Sequence, residues 1–197
     1  MKGTFITLGC FVAGCGLTLL GLIPEFFLEN DLSTYALYLL MGLVGLSIGL
    51  DTESSKILKS ANLGLVLVPV SIGVGSIIGA GVAYLLIGES FREGMAVGAG
   101  FGYYSLSSIY ISNIYSNTLG VIALMSNISR ELLTLLLAPV IVKMAGGMSL
   151  VASAGATSMD TTLPVITQYS GKQYVVVSLF SGIALTIAVP FLISLIL

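Results

Sequence analysis

The stretch Gly155-Ala156-Thr157-Ser158-Met159-Asp160-Thr161-Thr162-Leu163-Pro164 lies inside a hydrophobic region, yet it carries a carboxylate, three threonines and a serine. A glycine opens it and a proline closes it, the two residues whose backbones most readily depart from helical geometry. An apolar helix has no use for such a run. Its composition predicts a break whose freed carbonyls and amides, with the hydroxyls and Asp160, face a polar ligand. The rest of the chain reads as the frame that holds this stretch at membrane depth.

The 197 residues are 56% hydrophobic and 8% charged, with a mean hydropathy of +1.09. Soluble domains carry roughly 25% charged residues, so this composition predicts an all-α polytopic membrane protein. The sequence holds no histidine, which removes Ser-His and Cys-His catalysis and the commonest zinc ligand. Asp160 is the one aspartate deep in a hydrophobic segment, whereas an intramembrane aspartyl protease needs two opposed ones. No enzyme, cofactor or metal site is expected. The few basic residues form no patch, which excludes nucleic acid as a partner. Cys10 and Cys15 read as small apolar residues. Val12-Ala13-Gly14-Cys15 resembles a lipoprotein cleavage site, but the apolar run continues past it to Ile23. That run is long enough to span, so neither lipidation nor a cleaved signal peptide is expected.

Seven hydrophobic segments follow one another: 4–23, 34–50, 61–87, 94–116, 119–142, 150–170 and 174–197. The second has Gly42, Gly45 and Gly49 near one helical face, which favours close helix packing. The third holds Pro69 and reads as a tilted, kinked helix. The fourth is odd in the same way as the opening stretch. Gly98, Gly100 and Gly102 fall within five residues, followed by Tyr103, Tyr104, Ser105, Ser107 and Ser108. Each glycine disfavours a helix interior by roughly 1 kcal/mol relative to Ala. The fifth is interrupted by Ser126-Asn127-Ile128-Ser129-Arg130-Glu131 near its middle. A charge inside a membrane is costly unless paired or hydrated, so Arg130 and Glu131 are candidate functional residues. Neighbouring helical residues point about 100° apart, so the two are expected to find different partners.

Lysine marks the cytoplasmic side. Lys2 and the loop with Lys56 and Lys59 belong inside, and the acidic loop 24–33 outside. The N-terminus is thus placed in the cytoplasm. If the fourth and sixth segments both turn back, Lys143 and Lys172 also fall inside. The fourth then enters from outside and the sixth from the cytoplasm. Two broken or re-entrant segments meeting near the midplane from opposite faces are the pattern of inverted-repeat transporters. Residues 1–197 are read as a single transmembrane transporter domain.

Three stretches resemble one known family. Gly-Phe-Gly-Tyr-Tyr-Ser-Leu-Ser-Ser (100–108), Ser-Asn-Ile-Ser-Arg-Glu-Leu-Leu (126–133) and Gly-Ala-Thr-Ser-Met-Asp-Thr-Thr-Leu-Pro-Val-Ile (155–166) are similar to the lysine exporter family LysO in order and spacing. The resemblance covers residues 35–197. It implies an inner-membrane exporter of L-lysine and of its analogue thialysine, distantly related to transporters that use broken helices. It also implies that full-length members extend further at the N-terminus. An assembly is therefore expected, either a homo-oligomer or a pairing with a second small membrane subunit. Carried over onto this sequence, the substrate and ion site comprises Asp160, Glu131, Thr157, Ser158, Thr161, Thr162, Tyr103, Tyr104, Ser105 and Ser107; Arg130 and Asn127, from the interrupted fifth segment, are added as candidates on their own chemistry.

Lysine has two ammonium groups and one carboxylate. Asp160 and Glu131 are the acidic residues placed to meet the former. A helix restarting near Thr161, capped by Thr161 or Thr162, offers amides to the latter. Proton antiport is expected, with Asp160 or Glu131 alternating between proton and substrate. Arg130 is expected to occupy the carboxylate after release. Two alternatives stand beside this: a sodium-coupled carrier of another small polar solute, and a non-transporting subunit of a two-chain complex.

Overall fold

The computed structural model describes residues 63–197, together with positions 13, 14, 16, 17, 19, 20, 35, 39, 46 and 50. The hydrophobic segments 4–23 and 34–50 and the lysine-bearing loop 51–60 otherwise lie outside the described residues. Among the described residues the architecture is all-helical. Over residues 63–197, seven α-helices occur in chain order: α1 (Leu63–Leu86), α2 (Phe91–Gly98), α3 (Tyr104–Ile114), α4 (Asn117–Ala145), α5 (Gly147–Ala154), α6 (Leu163–Tyr169) and α7 (Val175–Ile196). Short 3-10 turns at Gly155–Met159 and Lys172–Tyr174 follow α5 and α6.

Among the described residues, three stretches are long and apolar enough to cross a membrane: Gly64–Leu86, Asn117–Ala145 and Lys172–Ile196. At about 1.5 Å per residue each exceeds the roughly 30 Å of a bilayer core. The helix α4 starts where Ser116, in extended conformation, accepts the Leu119 N–H at 3.2 Å, a side-chain N-cap. It stops at Gly146, whose φ of 83° ends helical geometry. It runs unbroken through 126–131, where the sequence reading expects an interruption. The reason is that Asn127 and Arg130 direct their polar groups sideways to other elements.

The short helices form two hairpins. Helix α2 descends along α1, with Gly94 against Tyr84 and Ala80, and Gly98 against Ser76. A Cβ on Gly98 would stand 2.5 Å from the Ser76 carbonyl oxygen, so glycine permits this close approach. The tip, residues 99–103, reaches the middle of α1, where the Phe101 ring meets Gly73. Helix α3 then returns to the end it came from. The Tyr115 hydroxyl donates to Glu93 Oε1 at 2.8 Å, and Ser116 and Leu119 share a cleft with Tyr84, Glu89 and Glu93. This end of the molecule is acidic.

The second hairpin enters from the other end. Helix α5 climbs back along α4, with Ser149 Oγ donating to Ile141 O (3.3 Å) and Ser153 Oγ paired with Thr134 Oγ1 (2.6 Å). After its tip at 155–162, α6 returns, and Ser170 Oγ donates to Gly147 O at 3.0 Å. Lys143 and Lys172 lie at this end. From here α7 crosses the molecule. It passes the second tip, where Gly182 abuts Ala156 and Met159, then meets Gly73 at Leu185. It finishes at the acidic end, where Arg92 donates to the carbonyls of Ile196 and Leu197.

Candidate functional site

The two tips touch. The Ala156 N–H donates to the Phe101 carbonyl at 2.8 Å. Phe101 has φ of 50° and is fully buried. It is a non-glycine residue held in the left-handed region, which surrounding structure must enforce. On the other side of the contact, Gly155 has φ of 64°, and a Cβ there would lie 2.4 Å from the Phe101 oxygen. Any larger residue would push the tips apart. The contact is level with the middles of all three long helices, at Gly73 of α1, Arg130 and Glu131 of α4, and Leu185 of α7.

Two side chains from α4 hold the crossing. Asn127 is buried and serves the first tip. Its Oδ1 accepts the Gly102 N–H at 2.7 Å, and its Nδ2 donates to Val97 O (3.3 Å), Ala123 O (2.9 Å) and Ser107 Oγ (3.5 Å). Arg130 serves the second. Its guanidinium donates to Ser153 O (2.8 Å), Ala152 O (3.0 Å) and, on α1, Ser76 Oγ (2.8 Å). The two carbonyls belong to the last turn of α5, where oxygens lack helical donors and a cation is favoured. Arg130 is thus bonded to backbone and a hydroxyl, where the sequence reading expects it to answer a carboxylate.

The candidate residues divide accordingly. Ser158 is buried and donates to Gly155 O (2.7 Å) and Ser178 O (2.9 Å). Thr157 donates to Ala154 O at 3.0 Å. Thr162 turns inward to Thr157 O at 2.8 Å. It precedes α6 without a side-chain cap bond, which corrects the expected threonine cap; its hydroxyl is committed to the tip itself. Ser107 packs under the first tip beside Asn127, while Tyr104 and Ser105 sit half-buried in the first turn of α3. Asp160 differs from all of these. It is exposed, and its Oδ1 accepts from the Thr161 N–H at 2.5 Å and the Thr161 hydroxyl at 3.3 Å. A cavity of about 10 Å³ beside it is lined by Tyr103, Thr157 and Thr186 among others. Glu131 is fully buried on α4, close enough for its charge to act on Asp160.

The structure therefore brings together Asp160, Thr161, Thr157 and Tyr103, with Glu131 within electrostatic reach. It adds residues that sequence reasoning passed over: Ser76, Thr134 and Ser153 around Arg130, and Thr186 at the cavity. Each is an ordinary hydroxyl in an apolar helix. The one signal in sequence is Pro190, four residues after Thr186.

Comparison with known proteins agrees with this picture at the level of family. A sequence model described as "Lysine exporter LysO" matches residues 8–197, further towards the N-terminus than the resemblance read from motifs. The chain is 31% identical over 188 residues to the lysine exporter LysO of Escherichia coli (strain K12), covering 94% of this chain and 61% of that protein. It is 28% identical over 163 residues to a putative lysine exporter of Haemophilus influenzae, covering 83% of each. No solved structure matches. The family is named for transport and not for an enzymatic reaction. With 190 of its residues matched, counted from 8 to 197, the chain belongs to the lysine exporter LysO family.

Proposed function

We propose that this chain carries L-lysine, or a similar small cationic amino acid such as thialysine, out across the inner membrane in exchange for protons. The site is the second hairpin tip, with Asp160 and Glu131 as the carboxylates that take ammonium groups and protons in turn. The observation that carries this reading is the meeting of two helical hairpins from opposite ends, level with the middles of the long helices, with an exposed carboxylate beside the contact. Irregular backbone at that depth survives only if buried or lining a cavity. Here both tips are stitched to α4, so the arrangement is a built one. In the membrane the hairpins become re-entrant segments of an inverted-repeat transporter. The lysine-bearing end faces the cytoplasm by the positive-inside rule, and the acidic end faces out.

Lysine presents two ammonium groups, and two carboxylates within electrostatic reach match them. When substrate leaves, two negative charges at depth cannot both persist cheaply, and a proton replaces it. Asp160 does not face hydrocarbon at that level. A water-filled passage beside it is closed by a second copy of the chain or by a second small membrane subunit.

The test is flux of labelled lysine in proteoliposomes with an imposed pH gradient. Uptake that follows the gradient and falls at least ten-fold in Asp160→Asn is expected. Flux that ignores the gradient and survives Asp160→Asn contradicts the reading. Flux that follows sodium instead favours a sodium-coupled carrier.

A further inference from the structure

We infer that the small cavity beside Asp160 seats a single primary ammonium group, and that Thr186 on α7 selects that head over larger cations. This rests on the export reading above and adds to it a residue and a rule of substrate selection. The cavity, lined by Tyr103, Ala156, Thr157, Met159, Asp160 and Thr186, measures about 10 Å³. That is the space of about one water molecule. An –NH₃⁺ group has one heavy atom and fits such a space. A guanidinium or a trimethylammonium has four and does not.

An ammonium offers three donors and no acceptor, so its seat must supply acceptors alone. Asp160 supplies a carboxylate. Thr186 supplies the rest in an unusual way. It is 1% exposed, and its Oγ1 has no hydrogen-bond partner among the described residues. Helical threonines ordinarily donate to the carbonyl four residues back. Thr134 does so to Arg130 O and Thr167 to Leu163 O, both at 2.8 Å. The Thr186 carbonyl also lacks its usual helical donor. Its i+4 donor would be residue 190, which is Pro190 inside α7 and has no N–H. One residue at the middle of α7 therefore combines a hydroxyl without a partner and a carbonyl without its i+4 amide, and it lines a void of matching size together with a carboxylate. Ser178 and Ser181 also have unpartnered hydroxyls, but neither lines this cavity. Tyr103, half-buried, adds an aromatic ring that favours a cation. Ala156 and Met159 provide apolar wall for the adjoining methylenes.

The experiment is counterflow of labelled lysine in proteoliposomes holding the full chain, with unlabelled lysine, arginine and Nε-trimethyllysine as competitors. Arginine and trimethyllysine are expected to compete at least ten-fold more weakly than lysine. Thr186→Val, which keeps shape and loses the hydroxyl, is expected to raise the half-saturating lysine concentration at least ten-fold. Thr186→Ser is expected to restore it, and melting curves in detergent establish that each variant folds. Arginine competing as well as lysine, or Thr186→Val saturating like wild type, overturns the inference while leaving export intact. A wild type that moves no lysine overturns export and this inference together. If Thr186→Val does not fold, the competitor series on wild type decides.

Discussion

The two hairpin tips meet at one hydrogen bond but are built to different ends. The first, 99–103, is closed on itself. Its backbone is pinned by Asn127, Phe101 is fully buried, and Gly102 and Ser107 are drawn into the same network. The second, 155–162, is tied to its neighbouring helices along its entering side, by Arg130 beneath α5 and by Ser158 against α7. Its far side leaves Asp160 exposed next to a small cavity. On the proposed reading, one tip is scaffold and the other presents chemistry on that scaffold. Polar residues in a broken segment are therefore not equivalent: most of them satisfy the backbone that the break exposes.

Substitutions can break this contrast. Arg130→Ala should have the largest effect, because it strands two carbonyls and a hydroxyl in a buried setting. The loss of folded stability is about 3 kcal/mol or more, read as a lower melting temperature in detergent. Arg130→Lys should recover only part of it, since an ammonium lacks the planar fork that reaches three acceptors. Gly155→Ala comes next, at about 2 kcal/mol, from a strained φ and a Cβ against the Phe101 oxygen. Its signature is a loss of both stability and flux, because the tips separate. Asn127→Leu should cost slightly less, about 1–2 kcal/mol, by leaving the Gly102 N–H without its acceptor. Asp160→Asn should change stability by under about 0.5 kcal/mol, as an exposed substitution does, yet abolish lysine flux. A large loss of stability in Asp160→Asn would erase the distinction between the tips.

Much of this was legible in the chain itself. The glycine-rich run 98–102 and the stretch 155–164 announce irregular backbone because glycine and proline disfavour helix locally, and local preferences are what a sequence records. Arg130, Glu131 and Asp160 are visible because charge is rare in apolar segments. The role of Arg130 was not legible, since two of its partners are backbone oxygens at 152 and 153 and the third is a serine at 76. Backbone acceptors have no letter in a sequence. Thr162 was misplaced for the same reason: a threonine before a helix usually caps it, but here a backbone oxygen five residues back takes the hydroxyl. Thr186 reads like any threonine in a membrane helix; Pro190 is visible in the sequence, but the cavity that gives the pair a meaning is not.

The opposed entry of the two hairpins is most directly tested by single-cysteine labelling from each side of the membrane. The background carries Cys10→Ser and Cys15→Ser, and the reporters are Glu89→Cys, Asn117→Cys, Lys143→Cys and Lys172→Cys, all at exposed positions. Residues 89 and 117 should react with an impermeant thiol reagent from one side, and 143 and 172 from the other. Labelling of 117 from the side opposite to 89, or of 172 from the side opposite to 143, would mean that a segment crosses instead of returning, and would contradict the hairpin arrangement.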